Sequence, residues 1–170
     1  GLSTGTWPGL VVPYVYEEGL DEETIKNILS AVNVFHFNTN ICFIEQRDES
    51  YFLRVNKSND KNSWWSNYIG MRSTNDNGIF VGPKNRSLMI HEIGHAVGLY
   101  HEHQRPDRDS YISINWTNIN NRYRGNFNLL PDISIHLTTK EYDLNSIMHY
   151  SSYAFSTNSG STITTKSGRL

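Results

Sequence analysis

The chain has 170 residues and only one cysteine, Cys42, so no internal disulfide can form and cysteine usage gives no reading of compartment. Charge of one sign is also lacking: 15 Lys and Arg stand against 17 Asp and Glu, a net −2. Without a basic excess there is no electrostatic case for nucleic acid or for a membrane surface as partner. No apolar run approaches the roughly 20 residues that cross a bilayer, and internal repeats and low-complexity linkers are missing. Present instead are 10 Tyr, 4 Trp and an apolar fraction of 37%, enough for a packed core rich in aromatic rings. This length and composition fit one domain, built as two lobes.

Residues 91–101 read HEIGHAVGLYH. His91 and His95 are four apart, so on an α-helix they lie on one face, roughly 6 Å apart along the axis. Two imidazoles so placed grip one tetrahedral Zn²⁺. Glu92 is one residue round the helix, placed to hold the attacking water rather than the metal. Gly98 stops the helix, since glycine tolerates the left-handed turn that reverses the chain. The reversal brings His101 back as third ligand and leaves a coordination position open, as in catalytic rather than structural zinc sites. The alternative, a buried helix with satisfied core histidines, does not account for five matching residues at fixed spacing.

Hydrophobic patterning places this motif in an α+β chain. Leu10–Tyr16 reads as a strand, with Pro13 arguing for an edge or a bulge. Asp21 is a candidate N-cap, Glu22 and Glu23 suit a first turn, and Ile25, Ile28, Leu29, Val32 and Phe35 recur at helical spacing, so residues 21–37 are expected to be an amphipathic helix. Ile41–Gln46 and Tyr51–Asn56 alternate as paired strands. Residues 57–78 read as a long irregular segment carrying Trp64, Trp65 and Tyr68. Ile79–Val81 is a short strand before Gly82-Pro83. A helix from about Ser87 to Leu99 holds the first two histidines, backed by Ile90, Ile93 and Val97. Beyond His101 the polar stretch DRDSYISIN reads as loop, Asn115–Asn126 as a turn or short helix, and Lys140–Asn145 as one helical turn. The expectation is an upper lobe of twisted mixed sheet plus two helices (about residues 1–98), an irregular lower lobe (about 99–170), and zinc in the cleft between them.

The stretch continues HEHQRPDRDSY, and Glu102, Arg105, Asp107 and Arg108 after the third histidine resemble the extended signature of the astacin family of metzincin zinc proteases. Ser146-Ile147-Met148-His149-Tyr150 is similar to that family's Met-turn. Weaker similarity runs through Trp7–Tyr14, Trp64–Gly70 and Tyr153–Ser156, and the branch implied is bacterial and myroilysin-like. The resemblance implies a metzincin-like catalytic domain and a secreted endopeptidase made as a zymogen. Its implied partners are one Zn²⁺ per chain, protein or peptide substrates, and its own propeptide as inhibitor. It implies that Tyr150 binds zinc at rest, then swings away and donates its hydroxyl to the oxyanion; the other reading of Tyr150 is a core tyrosine. Glu92 accepts the proton of the attacking water and delivers it to the leaving amine. Met148 is an apolar floor beneath the imidazoles rather than a ligand. Glu102 either meets the amino terminus at Gly1 or is a solvated loop carboxylate.

Arg105, Asp107 and Arg108 read as structural ion pairs, and His36, His103, His136 and His149 as structural or exposed groups. Cys42 reads as a small buried hydrophobe, with a reactive thiol as the alternative. Ile79, Phe80 and Val81 form the edge strand on which extended substrate adds. Trp65, with Trp64 and Tyr68, either lines the rim or packs in the core. Two departures from the family pattern stand out: the missing disulfides, and a chain that stops at Leu170, before the family's C-terminal helix. The polar start Gly1-Leu2-Ser3-Thr4 fits a mature enzyme whose leader and propeptide are gone. Competing readings are an amidase on small substrates and a binding module with a relic site. Against the second, none of the motif residues is lost.

Overall fold

The fold was obtained as a computed structural model, which describes residues 5–60, 64–73, 77–82, 85–131 and 141–167. Gly1, Pro83, His136 and Lys140 therefore lie outside the described residues. The chain divides into two compact units, Gly1–Leu99 and Tyr100–Leu170.

The first unit is built on a five-stranded mixed sheet. Strand β1 (Val11–Tyr16) is followed by helix α1 (Glu22–Asn38), then β2 (Cys42–Glu45), β3 (Leu53–Lys57), β4 (Trp65–Ser66), β5 (Gly78–Val81) and helix α2 (Arg86–Ala96). The sheet order is β2-β1-β3-β5-β4, parallel except for β4 against β5. Helix α1 starts where its N-cap predicts, with Asp21 accepting a hydrogen bond from the Thr24 amide at 2.8 Å. One face of the sheet supplies Val12, Tyr14, Leu53, Val55, Ile79 and Val81 to the core. In β3 the buried positions alternate, Leu53 and Val55 inward, as a strand covered on one face requires, whereas β1 buries Val12, Pro13 and Tyr14 in succession. Ile28, Ala31, Val32 and Phe35 of α1 and Met89, Ile93 and Ala96 of α2 complete that core.

Three sequence expectations are corrected in this unit. Pro13 is not at an edge, because β1 is flanked by β2 and β3. Gln46 N–H donates to the Tyr14 carbonyl on one side and Glu17 N–H to the Val55 carbonyl on the other. Strand backbone groups alternate sides, so Pro13 aims its nitrogen toward β3. The β1–β3 ladder begins only at Tyr14–Leu53, so no ladder bond is lost there. The strands expected at 41–46 and 51–56 form, but they do not pair with each other; β1 inserts between them. Ile79, Phe80 and Val81 are likewise not an edge. Strand β5 is covered by β3 on one side and by β4 on the other, with Trp65 opposite Phe80 and Ser66 opposite Ile79. The segment read as irregular thus supplies the terminal strand of the sheet.

The second unit has little regular structure. Strands β6 (Ile112–Ile114) and β7 (Ile163–Thr165) pair antiparallel, so the stretch read as loop contains a strand whose partner lies some fifty residues on. Short 3₁₀ turns cover Glu102–Gln104, Arg108–Ser110, Trp116–Asn118 and Asn121–Phe127. Residues 141–145 form a bend and a turn rather than the expected helical turn. The core of this unit is Ile112, Ile119, Phe127, Tyr142 and Ile163, with Tyr150 packed against it.

Ile28 is 1% exposed. Ile28→Ala is expected to destabilise the protein by about 2–5 kcal/mol, and Asp21→Ala by about 1 kcal/mol through loss of the cap. Urea denaturation of both variants checks this; equal losses would mean that the cap contributes as much to holding α1 as Ile28 does.

Candidate metal centre

Helix α2 begins at the N-cap Asn85, whose side chain accepts from the Leu88 amide. It ends in a tight reversal. Val97 N–H reaches the Ile93 carbonyl, Gly98 N–H that of His95, and Leu99 N–H that of Gly94. Gly98 has φ +110°, a conformation that side chains disfavour, while a Cβ there would meet no atom within 4 Å. Backbone conformation alone therefore requires glycine at this point. Two further donors secure the helix end. The Trp7 indole Nε1–H donates to the Ala96 carbonyl at 2.8 Å, and Gly70 N–H donates to the His95 carbonyl at 2.8 Å.

This local geometry gathers the three imidazoles of residues 91–101. One ring nitrogen from each of His91, His95 and His101 lies within 4.8 Å of those of the others. His95 Nδ1–H donates to the Leu99 carbonyl at 2.7 Å, and His101 Nδ1–H donates to the Gln104 amide oxygen at 3.2 Å. In both rings the Nε2 lone pair is then the one available to a metal, the second-sphere arrangement that fixes tautomer and orientation. His95 is 6% exposed, and its pKa falls to about 4, first through burial and then through the neighbouring His91. It is neutral at pH 7, as a ligand must be.

Glu92 is 5% exposed, and its Oε2 is buried with no hydrogen-bond partner. Burial raises its pKa to about 7. A buried carboxylate oxygen without a partner is costly. It fits a place meant for a cation and a water that it would hold. The donor set of three imidazoles is likewise one that zinc favours.

In the second unit, Met148 is 3% exposed and its carbonyl accepts from Glu102 N–H at 3.0 Å. Glu102 is buried and paired rather than solvated. Its Oε1 accepts from Arg105 Nη1 at 3.0 Å and from Asp143 N–H at 2.9 Å. Arg105 also grips Asp107 with two bonds, at 3.0 and 2.9 Å. Arg108 donates to the His103 and Phe127 carbonyls and pairs with Asp109. These three residues are thus the structural ion pairs expected, and the Gly1 partner expected for Glu102 lies outside the described residues. Tyr150 sits against His101, ring centroids 4.6 Å apart. Of the other histidines, His36 is exposed, His103 is fully buried, and His149 bonds the Tyr142 hydroxyl at 2.7 Å. Trp65, 40% exposed, stacks on Phe80 at 4.4 Å and 11°. Gln104 carries no motif signal, and Trp7 and Gly70 only the weak similarity of their segments; the roles of all three follow from the folded positions of the ring and the helix end.

A helix bearing two imidazoles and a buried carboxylate, a glycine reversal, and a third imidazole place this domain in the metzincin class. The chain belongs to the astacin family of peptidases, whose model matches residues 2–170. Its three histidines are positioned to bind a zinc ion. It is 36% identical to Protein SpAN of Strongylocentrotus purpuratus over 96% of its own length, but spans 27% of that protein. Among solved structures it is similar to high choriolytic enzyme 1, a hatching enzyme zinc-protease from the medaka Oryzias latipes. That match has a TM-score of 0.78 and 31% identity, and covers 92% of this chain and 76% of the other. The match to myroilysin, with a TM-score of 0.62 at 22% identity over 95% of this chain and 88% of the other, is a likeness of fold.

Two outcomes follow from the supporting bonds. Gln104→Ala is expected to raise the dissociation constant for zinc by about tenfold or more, read by competition with a chromogenic chelator; an unchanged constant would mean His101 needs no such anchor. Arg105→Ala strands a buried Glu102 and is expected to cost about 3–5 kcal/mol of stability, measured by thermal and urea unfolding.

Proposed function

We propose that this chain is a zinc-dependent endopeptidase working as one catalytic domain, with Glu92 as its general base and acid. The observation that carries this reading is the buried, unpartnered Oε2 of Glu92, one residue from His91 in a converging set of three imidazoles. His91, His95 and His101 would hold the metal. Zinc bound there supplies Lewis acidity, which brings the pKa of water to about 7. Glu92 orients the attacking water, takes its proton as the water adds to the peptide carbonyl, and returns that proton to the departing amine. Tyr150 would be a fourth protein ligand at rest, and its hydroxyl would support the oxyanion once the ring has moved. Met148 floors the imidazoles, Gly98 turns the chain, and Glu102 secures the Met-turn backbone.

Extended substrate adds to the sheet along β4, the terminal strand of the described sheet. Trp65 and Phe80 present a stacked aromatic pair beside it, while Ile79 and Val81 support it from the neighbouring strand. An open sheet edge suits a polypeptide better than a small amide. The enzyme is read as secreted, made as a zymogen and inhibited by its own propeptide until cleavage. Family membership supports this, and no helix among the described residues is long and apolar enough to cross a membrane. With a net charge of −2, neither nucleic acid nor a membrane surface is proposed as partner.

Unfolded casein digested with and without a zinc chelator tests the reading. Cleavage at internal bonds is expected, and its loss on chelation. Glu92→Ala is expected to lower the rate by at least about 10²-fold while zinc content by metal analysis stays the same. Undiminished cleavage by that variant would remove Glu92 from the mechanism.

A further inference from the structure

The ring of Tyr150 rests on a histidine that the metal site does not use. Its centroid is 4.0 Å from that of His103, with the planes 24° from parallel. Phe127 and Phe155 close round the same ring at 5.7 and 5.6 Å. His103 is 0% exposed and is fixed through its edge and its backbone. Its Nε2–H donates to the Asn126 carbonyl at 3.0 Å, and Arg108, itself 4% exposed, donates to the carbonyls of both His103 and Phe127. Burying an imidazole is costly unless its polar atoms are bonded, and a leucine would fill the space without that demand. What leucine lacks is a flat face whose orientation a hydrogen bond can set.

We propose that His103 is a positioning residue for Tyr150: its buried, anchored ring holds the tyrosine ring at rest beside His101 and sets how readily that ring leaves. The inference rests on the reading of Tyr150 given above and deepens it. A stacked aromatic pair shifts a two-state balance by roughly two- to twelvefold, so loss of the wall lowers the ratio of resting to displaced ring by that factor without touching the histidine ligands.

The test replaces zinc with Cu(II), on which a coordinated phenolate gives a visible charge-transfer band. The unsubstituted protein is expected to show the band and Tyr150→Phe to lack it. His103→Leu is expected to show a weaker band, the ratio of bound to displaced tyrosine falling roughly two- to twelvefold, with copper still bound one per chain. His103→Phe, which keeps a flat ring, is expected to retain most of it. If His103→Leu fails to fold, His103→Gln, which keeps a donor for Asn126 but no ring, carries the same expectation; failure of both to fold makes His103 a core residue and overturns the proposal. A full-strength band in folded His103→Leu also overturns it while leaving Tyr150 as read. No band in the unsubstituted protein, or one that survives in Tyr150→Phe, overturns the reading of Tyr150 and this inference with it.

Discussion

The chain reversal at the end of α2 is the constraint on which the site depends. A helix by itself can offer His91 and His95 to one metal but cannot return a third ligand within six residues. Gly98 does so by taking a φ that other residues disfavour. The same turn brings the Leu99 carbonyl within 2.7 Å of His95 Nδ1. The bend that delivers His101 therefore also fixes the tautomer of His95. Backbone conformation and ligand chemistry are joined in one short segment, and the donors from Trp7 and Gly70 tie that segment to the body of the first unit.

Two buried carboxylates show how environment assigns roles to chemically similar groups. Glu102 has its cation and its amide, and is part of the framework. Glu92, ten residues earlier, has an oxygen with no protein partner and a pKa lifted to about 7 by burial. A folding chain gains nothing from leaving an oxygen so placed. A proton acceptor poised near neutrality is, however, what general acid–base chemistry requires. The approach of a cation would draw that pKa down again and favour the charged base.

Much of this was legible because the motif is local. His91, Glu92, His95, Gly98 and His101 act within one helix and one turn, so their spacing alone carries the geometry. Helix α1 was legible for the same reason, from Asp21 and the spacing of its apolar residues. Strand partners were not, since pairing is settled by connections that no local pattern records. Ile41–Gln46 and Tyr51–Asn56 looked like a hairpin, yet β1 lies between them. Ile79–Val81 looked like an edge, yet Trp65 and Ser66 cover it from a segment with no strand pattern. Ile112–Ile114 was hidden in a polar stretch because its partner, Ile163–Thr165, is remote. Gln104 escaped notice, and His103 read only as a structural or exposed group, because only the fold shows which rings they touch.

The two units hold their site residues by different means, and the difference bears on what each residue can do. In the first, His91, His95 and Glu92 project from a helix backed by Met89, Ile93 and Ala96, so their backbone is fixed by regular hydrogen bonding. In the second, few ladders exist. Tyr150 is placed by rings, namely His101, His103, Phe127 and Phe155, and its backbone is held by the His149 Nδ1–H bond to its carbonyl. Side-chain stacking is weaker than a hydrogen-bond ladder and gives way one ring at a time. On the reading proposed for Tyr150, the group that must move stands on the second kind of support, and the groups that must stay still stand on the first.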